Sequence, residues 1–136
     1  MMISENTCRV TEDYEALEQE EIFQMMAGTV PSQDEALIAG TKSVKVARWW
    51  DRAVDIIPRN SGKAVAMEKI LKYYGFSVEE SMAFGDGGND LDMIQYAGIG
   101  VAMGNAVEEV KPAADMIADS CDRDGVFRTL QQIGLI

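Results

Sequence analysis

The chain has 136 residues, 47% of them hydrophobic, which is enough to bury the core of one ordinary domain or of two small lobes. Twelve Lys and Arg residues stand against 23 Asp and Glu residues, and the formal net charge of -11 argues against anionic partners such as nucleic acids and acidic membranes. There is no histidine, which excludes Ser/His and Cys/His triads and histidine-ligated metal sites.

The sequence shows no pattern of a membrane span or of a signal peptide. No stretch reaches the roughly 20 apolar residues of a membrane-spanning helix, and the first five residues lack the charged and apolar regions of a signal peptide. A cytoplasmic location is therefore expected. Cys8 and Cys121 form no CxxC pair, so we expect two reduced thiols rather than a disulfide or a zinc site.

The first third of the chain predicts two helices. Acidic residues followed by a loose apolar stripe predict a helix over 12–26 that ends at Gly28. Ser32 and Glu35 have the spacing of a capping box, which predicts a short helix that ends at Gly40.

Two strands and a third helix are predicted next. Alternation over 43–49 and a β-rich run over 53–57 predict a hairpin or two adjacent strands. Ser61 is a candidate cap for a helix that stops at Gly75. The apolar residues of that helix have the spacing of one buried face: Met67, Ile70, Leu71 and Tyr74.

The second half of the chain alternates short apolar runs with helical patterns, which predicts a parallel α/β sheet. The predicted strands are 82–84, 99–103 and 116–118, and the predicted helices are 90–97, 107–114 and 125–133. Asn105 and Glu108 form a candidate cap for the second of these helices, which Pro112 would limit or kink. We place the domain boundary near 58–61, between a strand-rich lobe over 1–58 and an α/β lobe over 59–136.

One loop, Gly85-Asp86-Gly87-Gly88-Asn89-Asp90, follows a predicted strand directly. Ligands of α/β sheets bind at the carboxyl ends of strands, and a carboxylate such as Asp86 is an oxygen ligand of the kind that Mg²⁺ uses. Asn89 could donate to a phosphate oxygen, and Asp90 could cap the next helix or bind a nearby cation. Ordinary turn chemistry explains the same residue types equally well.

Known ion and nucleotide loops do not match this segment. An EF-hand counted from Asp86 would need Gly and Glu where Leu91 and Ala97 stand, and no P-loop or dinucleotide fingerprint is present. Lys63 is a second candidate, because a cation in the first turn of a helix opposes the helix dipole and could serve to neutralise phosphate. A solvated surface lysine is the simpler explanation for Lys63 alone.

Taken together, these segments resemble the haloacid dehalogenase-like phosphatases of the Cof type. The similarity rests on Lys63, on Gly85 to Ile94 and on Ala97 to Ala106, and it extends from about Trp49 to the C-terminus. It implies a Rossmann-like core with an inserted α/β cap. It also implies a Mg²⁺-dependent phosphatase of small phosphorylated metabolites, with sugar phosphates as one class, acting through an aspartyl-phosphate.

The resemblance assigns roles to individual residues. Lys63 and Asp90 are implied to be catalytic, with Lys63 contacting phosphate and Asp90 supporting the lysine and the metal. Asp86 is implied to be the Mg²⁺ ligand, and Asn89 a phosphate-contacting amide. Two further candidates, both for substrate selection, are Arg48 and Trp49 in the predicted cap strand, although aromatic residues more often simply pack.

One part of the family pattern is not recognisable. The family carries an N-terminal DxDxT motif that supplies the nucleophile, followed by a Ser or Thr motif, and neither is found here. We therefore expect the chain to begin inside the cap and to be inactive alone, because lysine and metal only stabilise charge around an attacking carboxylate. An uncovered sheet edge would promote self-association or pairing with the missing N-terminal half.

Three hypotheses follow from the sequence. The first is a portion of a Mg²⁺-dependent phosphatase. The second is a hinge fragment of a P-type ATPase, which also uses a GDGxND loop, although Asp92-Met93 and the absence of membrane spans argue against it. The third is a non-catalytic interaction or regulatory protein that retains the fold.

Overall fold

Two three-stranded sheets organise the part of the protein that this computed structural model describes, namely Gln19 and residues 21–136. The strands are β1 (Met25–Gly28), β2 (Val44–Trp50), β3 (Ala53–Pro58), β4 (Met82–Gly85), β5 (Ile99–Ala102) and β6 (Met116–Ile117). The helices are α1 (Asp34–Leu37), α2 (Lys63–Tyr74), α3 (Leu91–Tyr96) and α4 (Gly125–Gln132). None of these helices is long and apolar enough to cross a membrane.

The first sheet is antiparallel, with the strand order β1-β3-β2. The register of β2 against β3 shifts between Arg48 and Trp50, which marks a bulge near the turn. Val54 and Ile56 alternate toward the buried face of β3. The predicted pair of strands is therefore confirmed as a hairpin.

The second sheet is parallel, with the strand order β4-β5-β6. Its core consists of small and branched side chains, among which Ile94, Val101, Ala102 and Val110 are almost fully buried. Close packing of α3 on β5 depends on Gly100, since a Cβ there would lie 2.2 Å from the carbonyl oxygen of Ile94. The predicted α/β fold with parallel strands is confirmed.

Two predicted helices are wrong where the structure can be compared. Most of the helix predicted over 12–26 lies outside the described residues, but its end forms strand β1, which pairs with β3. The helix predicted over 107–114 is reduced to turns and a three-residue 3-10 segment, Lys111–Ala113. Pro112 has no N–H to donate to a longer helix, and it sits in the first turn of this short segment.

The predicted helix caps are also replaced by other contacts. Ser32 lies inside a 3-10 turn that precedes α1, and no side-chain cap forms at either segment. Ser61 donates its hydroxyl to the carbonyl of Pro58 at 2.8 Å, and Gly62, with φ of 140°, becomes the residue before α2. The end of α2 at Gly75, in the left-handed conformation, is confirmed.

Helix α2 does not bury the face that its sequence predicts. Ile70 is 58% exposed and Tyr74 is 67% exposed against the rest of the described chain. Tyr73 and Phe76 are exposed beside them. Within the described residues, α2 therefore presents an apolar surface that has no cover.

Candidate active site

The centre of the site is an ion pair between the first residue of α2 and the loop that follows β4. The Lys63 ammonium donates a hydrogen bond to one carboxylate oxygen of Asp90. The other oxygen of Asp90 accepts the backbone N–H groups of Asp86 and Gly87 at 2.9 and 3.0 Å. The Asp90 side chain is 8% exposed, whereas the Lys63 side chain is 47% exposed. A buried carboxylate therefore holds a lysine that remains accessible to solvent.

These contacts decide the charge of Asp90. Burial alone would raise the pKa of this carboxyl group. Hydrogen bonds from Lys63 and from the N–H groups of Gly87 and Asp86 outweigh burial and hold the pKa of Asp90 below its ordinary value. Asp90 is therefore ionised at neutral pH and can keep the Lys63 ammonium in place.

The local sequence makes this arrangement possible through glycine. A Cβ on Gly85 would lie 2.5 Å from the Cβ of Asp90, so only glycine allows the loop to fold back onto the strand end. The 3-10 turn Gly88–Asp90 then leads directly into α3. The side chain of Asp90 caps this turn rather than α3, which corrects the simple helix-cap explanation.

Asp86 stands at the carboxyl end of β4 and is exposed. Its Oδ2 atom accepts a hydrogen bond from the Asn105 amide at 3.0 Å. Within residues 21–136 no three His, Cys, Asp or Glu side chains gather into a metal-binding group. Mg²⁺ is commonly held by one or two carboxylates together with phosphate oxygens and water, so Asp86 fits as one such ligand.

A pocket of about 600 Å³ opens between the two sheets, next to the ion pair. Lys63 and Asn89 line it, whereas Asp86 and Asp90 lie outside its lining. The two walls touch at Gly88, where a Cβ would lie 3.2 Å from the carbonyl oxygen of Arg48. The structure thus brings Lys63, Asn89, Asp86 and Asp90 into one region beside a ligand-sized cavity.

Arg48 and Trp49, the two candidates for substrate selection, lie at the edge of this region. The Arg48 guanidinium donates to both carboxylate oxygens of Asp34 and to the carbonyl groups of Thr29 and Trp50. The Arg48 hydrogen bond lowers the pKa of Asp34. Trp49 is 38% exposed and stacks on Trp50 with 6.4 Å between ring centroids. Arg48 is therefore committed to the scaffold, and a substrate role for either residue stays a prediction.

Several polar residues of the pocket were not singled out from the sequence. Lys45 and Asp55 line it from the hairpin, Asp92 from helix α3, and Glu109 from the segment between β5 and β6. The ammonium of Lys45 and a carboxylate oxygen of Asp92 would lie 3.2 and 2.9 Å from a Cβ on Gly62. Strand alternation places Lys45 and Asp55 opposite the buried face, and that signal could have identified them.

Comparison with known proteins identifies the family of this chain. Residues 2–130 match the haloacid dehalogenase-like hydrolase family. The putative phosphatase YkrA of Bacillus subtilis is 37% identical over 119 residues, which cover 88% of this chain and 46% of YkrA. The B. subtilis 5-amino-6-(5-phospho-D-ribitylamino)uracil phosphatase YitU is 43% identical over 88 residues, which cover 62% of this chain and 32% of YitU.

Solved structures give the same result. A sugar phosphatase of haloacid dehalogenase subclass IIB superposes with a TM-score of 0.83 at 33% identity, covering 90% of this chain and 47% of its own. The chain spans less than half the length of each of these three proteins. By sequence pattern and by fold, the chain belongs to the haloacid dehalogenase-like hydrolases of the Cof type.

Proposed function

We propose that this chain supplies the Mg²⁺-binding and phosphate-binding part of a phosphatase site. The substrates would be small phosphorylated metabolites, with sugar phosphates as the leading class. Support comes from the relatives, since one is named as a phosphatase of a phosphoribityl compound and a structural neighbour as a sugar phosphatase.

The observation that carries this proposal is the state of Lys63. Its ammonium is fixed by a buried, ionised Asp90, yet it remains half exposed at the edge of the pocket. Among the described residues the ammonium has no hydrogen-bond partner besides Asp90, which leaves two N–H donors that could bind phosphate oxygens. Asn89 lines the same pocket and would donate its amide to the phosphate.

Asp86 would hold Mg²⁺ at the carboxyl end of β4. A bound Mg²⁺ would neutralise charge on the transferring phosphoryl group. The residues of the chain would do the rest: Lys63 binds and orients the phosphate, and Asp90 holds the lysine in place.

Phosphoryl transfer through an aspartyl-phosphate also needs an attacking carboxylate. No DxDxT motif is recognisable in the sequence. We therefore propose that this chain alone does not turn over a phosphate ester, and that the attacking residue lies on another polypeptide segment.

The first experiment measures hydrolysis of para-nitrophenyl phosphate with MgCl₂, and in parallel the binding of inorganic phosphate by amide NMR shifts. We expect no hydrolysis but saturable shifts at Gly87 and Asn89. Lys63→Met should abolish these shifts, whereas the control Lys72→Met, at the exposed end of the same helix, should keep them. Hydrolysis that is lost both with EDTA and in Asp86→Ala would contradict the proposal that this chain lacks the attacking carboxylate. The absence of phosphate-induced shifts would contradict the proposed phosphate site.

A non-catalytic interaction protein is the second candidate, and it has its own support. In the described residues β4 pairs only with β5, so one edge of the parallel sheet is open. The uncovered apolar surface of α2 adds to this open edge. Phosphate binding with Mg²⁺ would favour the phosphatase proposal, and its absence would favour this one.

The same surfaces support a proposal on partners. We propose that the chain self-associates, or pairs with a segment that supplies the N-terminal half of the fold, through the β4 edge and α2. Size-exclusion chromatography with light scattering over a range of concentrations should show a mass that rises with concentration. A single monomeric mass at every concentration would contradict self-association.

A further inference from the structure

Asn105 connects the loops that follow all three parallel strands. It lies three residues after β5, and its side-chain amide donates from Nδ2 to Oδ2 of Asp86 at 3.0 Å. Its Oδ1 accepts the backbone N–H of Cys121, in the loop after β6, at 2.9 Å. Because the strands are parallel, these three loops meet at one edge of the sheet.

The partners of Asn105 fix the orientation of its amide. A backbone N–H can only donate, so it requires the Asn105 oxygen, and an ionised carboxylate can only accept, so it requires the Asn105 nitrogen. If the amide were reversed, its NH₂ group would face the N–H of Cys121, and its oxygen would face the carboxylate of Asp86. Asn105 therefore has a single favourable orientation, and it presents one donor to Asp86.

The backbone around Asn105 leaves little freedom for this contact to shift. The N–H of Val107 donates to the carbonyl of Asp86 at 2.9 Å, and the N–H of Gly104 donates to the carbonyl of Asp119 at 3.3 Å. A Cβ on Gly104 would lie 2.7 Å from the backbone nitrogen of Ser120. The main chain of Asp86 is thus held by the same segment that holds its carboxylate.

We propose that Asn105 is a positioning residue for the cation site. By binding Oδ2, it selects one rotamer of Asp86 and leaves Oδ1 directed at the ligand. Within residues 21–136 no other side-chain or backbone donor contacts the carboxylate of Asp86. This inference rests on the proposed role of Asp86 as the Mg²⁺ ligand, and outer partners of metal ligands typically change metal affinity by about 10–100-fold.

The test uses the whole ¹⁵N-labelled chain and MnCl₂ as the probe. Paramagnetic broadening of the amides near Asp86, reversed by MgCl₂, reports the affinity and the location of the cation without any need for activity. We expect Asn105→Ala to weaken Mn²⁺ binding by about tenfold. The matched control is Asn60→Ala, an exposed asparagine in the turn after β3, which should leave the affinity unchanged.

A second variant tests the contact between Asn105 and Cys121 without changing Asn105 itself. Cys121→Pro removes the N–H that donates to Asn105, together with an exposed thiol, at the first residue of a 3-10 turn where proline is tolerated. It should weaken Mn²⁺ binding by about threefold, since Asn105 keeps its contact with Asp86 but loses its own anchor.

The outcomes distinguish this inference from the proposed function. Localised binding in the parent chain that is unchanged by both Asn105→Ala and Cys121→Pro would overturn the role of Asn105 and leave the cation site intact. No saturable broadening near Asp86 in the parent chain would overturn the cation site, and the role of Asn105 with it. Weaker binding in Asn105→Ala, with Asn60→Ala unaffected, would support the inference, and weaker binding in Cys121→Pro as well would support the anchor of Asn105 at Cys121. Weaker binding in Cys121→Pro alone would overturn the role of Asn105.

Discussion

The antiparallel and parallel regions each have an ion pair that joins elements next to the pocket, Arg48–Asp34 and Lys63–Asp90, and the two pairs differ in the donors that they leave free. In the hairpin region, the Arg48 guanidinium gives its hydrogen bonds to Asp34 and to two carbonyl groups. In the parallel region, Lys63 gives one hydrogen bond to Asp90 and keeps the rest of its ammonium exposed. The comparison teaches that a cation can bind a ligand only through donors that its structural contacts leave over, and within the described residues Lys63 keeps more of them than Arg48 does.

The largest effect on stability is expected at Asp90, the buried partner of Lys63. Asp90→Ala leaves two backbone N–H groups without an acceptor and Lys63 without a partner. The free energy of unfolding should fall by about 2–4 kcal/mol, as measured by urea denaturation at neutral pH. Asp92→Ala, at an exposed position in α3, is the control and should change little. Equal effects of the two variants would contradict the anchoring role of Asp90.

The next largest effect is expected in the buried cores of the two sheets. Val54 in the hairpin sheet and Val101 in the parallel sheet are both fully buried. Replacing either by Ala should cost about 1.5–2.5 kcal/mol, because two methyl groups are lost and a cavity remains. Val107→Ala, at a position that is 44% exposed, should cost much less.

The same variants show whether the sheets unfold together. Both tryptophans of the chain lie in β2, so their fluorescence follows the hairpin sheet, whereas far-ultraviolet circular dichroism follows the helices beside the parallel sheet. If the sheets unfold separately, Val54→Ala shifts the fluorescence transition alone. If the domain boundary near 58–61 does not separate folding units, both signals shift together.

A smaller effect is expected from acid. The pKa of Asp90 is lowered in the folded protein, so its stabilising contribution is complete above the ordinary value of 3.8 and is lost as the pH falls through the lowered value. The difference in stability between the parent chain and Asp90→Asn should therefore shrink as the pH decreases below about 4. A difference that stays constant down to pH 2 would show that the charge of Asp90 contributes nothing.

The smallest effect is expected at the Arg48–Asp34 pair. Both side chains are partly exposed, and such pairs contribute little and weaken with salt. Asp34→Ala should move the urea midpoint less than Val54→Ala does, and the shift should decrease in high salt. A salt-independent effect as large as that of Asp90→Ala would show that the two ion pairs contribute equally to stability, which would contradict the difference between the two regions.

What could be predicted from the sequence was encoded locally. The hairpin, the parallel strands and the end of α2 at Gly75 follow from alternation, apolar runs and one glycine, and all three are confirmed. Strand β1 was missed because its pairing with β3 joins residues far apart in the chain. Tertiary pairing of this kind overrides weak helical patterns.

The candidate site shows the same limit. Its residues were candidates from the loop chemistry and from the first turn of α2, their roles came from a family resemblance, and the geometry adds how they contact one another. Asn105 was predicted to cap a helix, yet its partners Asp86 and Cys121 lie 19 and 16 residues away. A cap is a local signal, whereas a bridge between loops depends on how the strands are ordered in the sheet.

The pocket between the sheets has a thermodynamic consequence. Its lining is shared, with Lys45 and Asp55 on the hairpin and Lys63 and Asn89 on the other wall. A ligand that contacts both walls binds only when both sheets are folded and correctly placed. The ligand would therefore stabilise the state in which both sheets are folded, by about 2.7 kcal/mol at a ligand concentration one hundred times Kd. Two sheets that unfold independently in the free chain would then unfold as one unit when the pocket is filled.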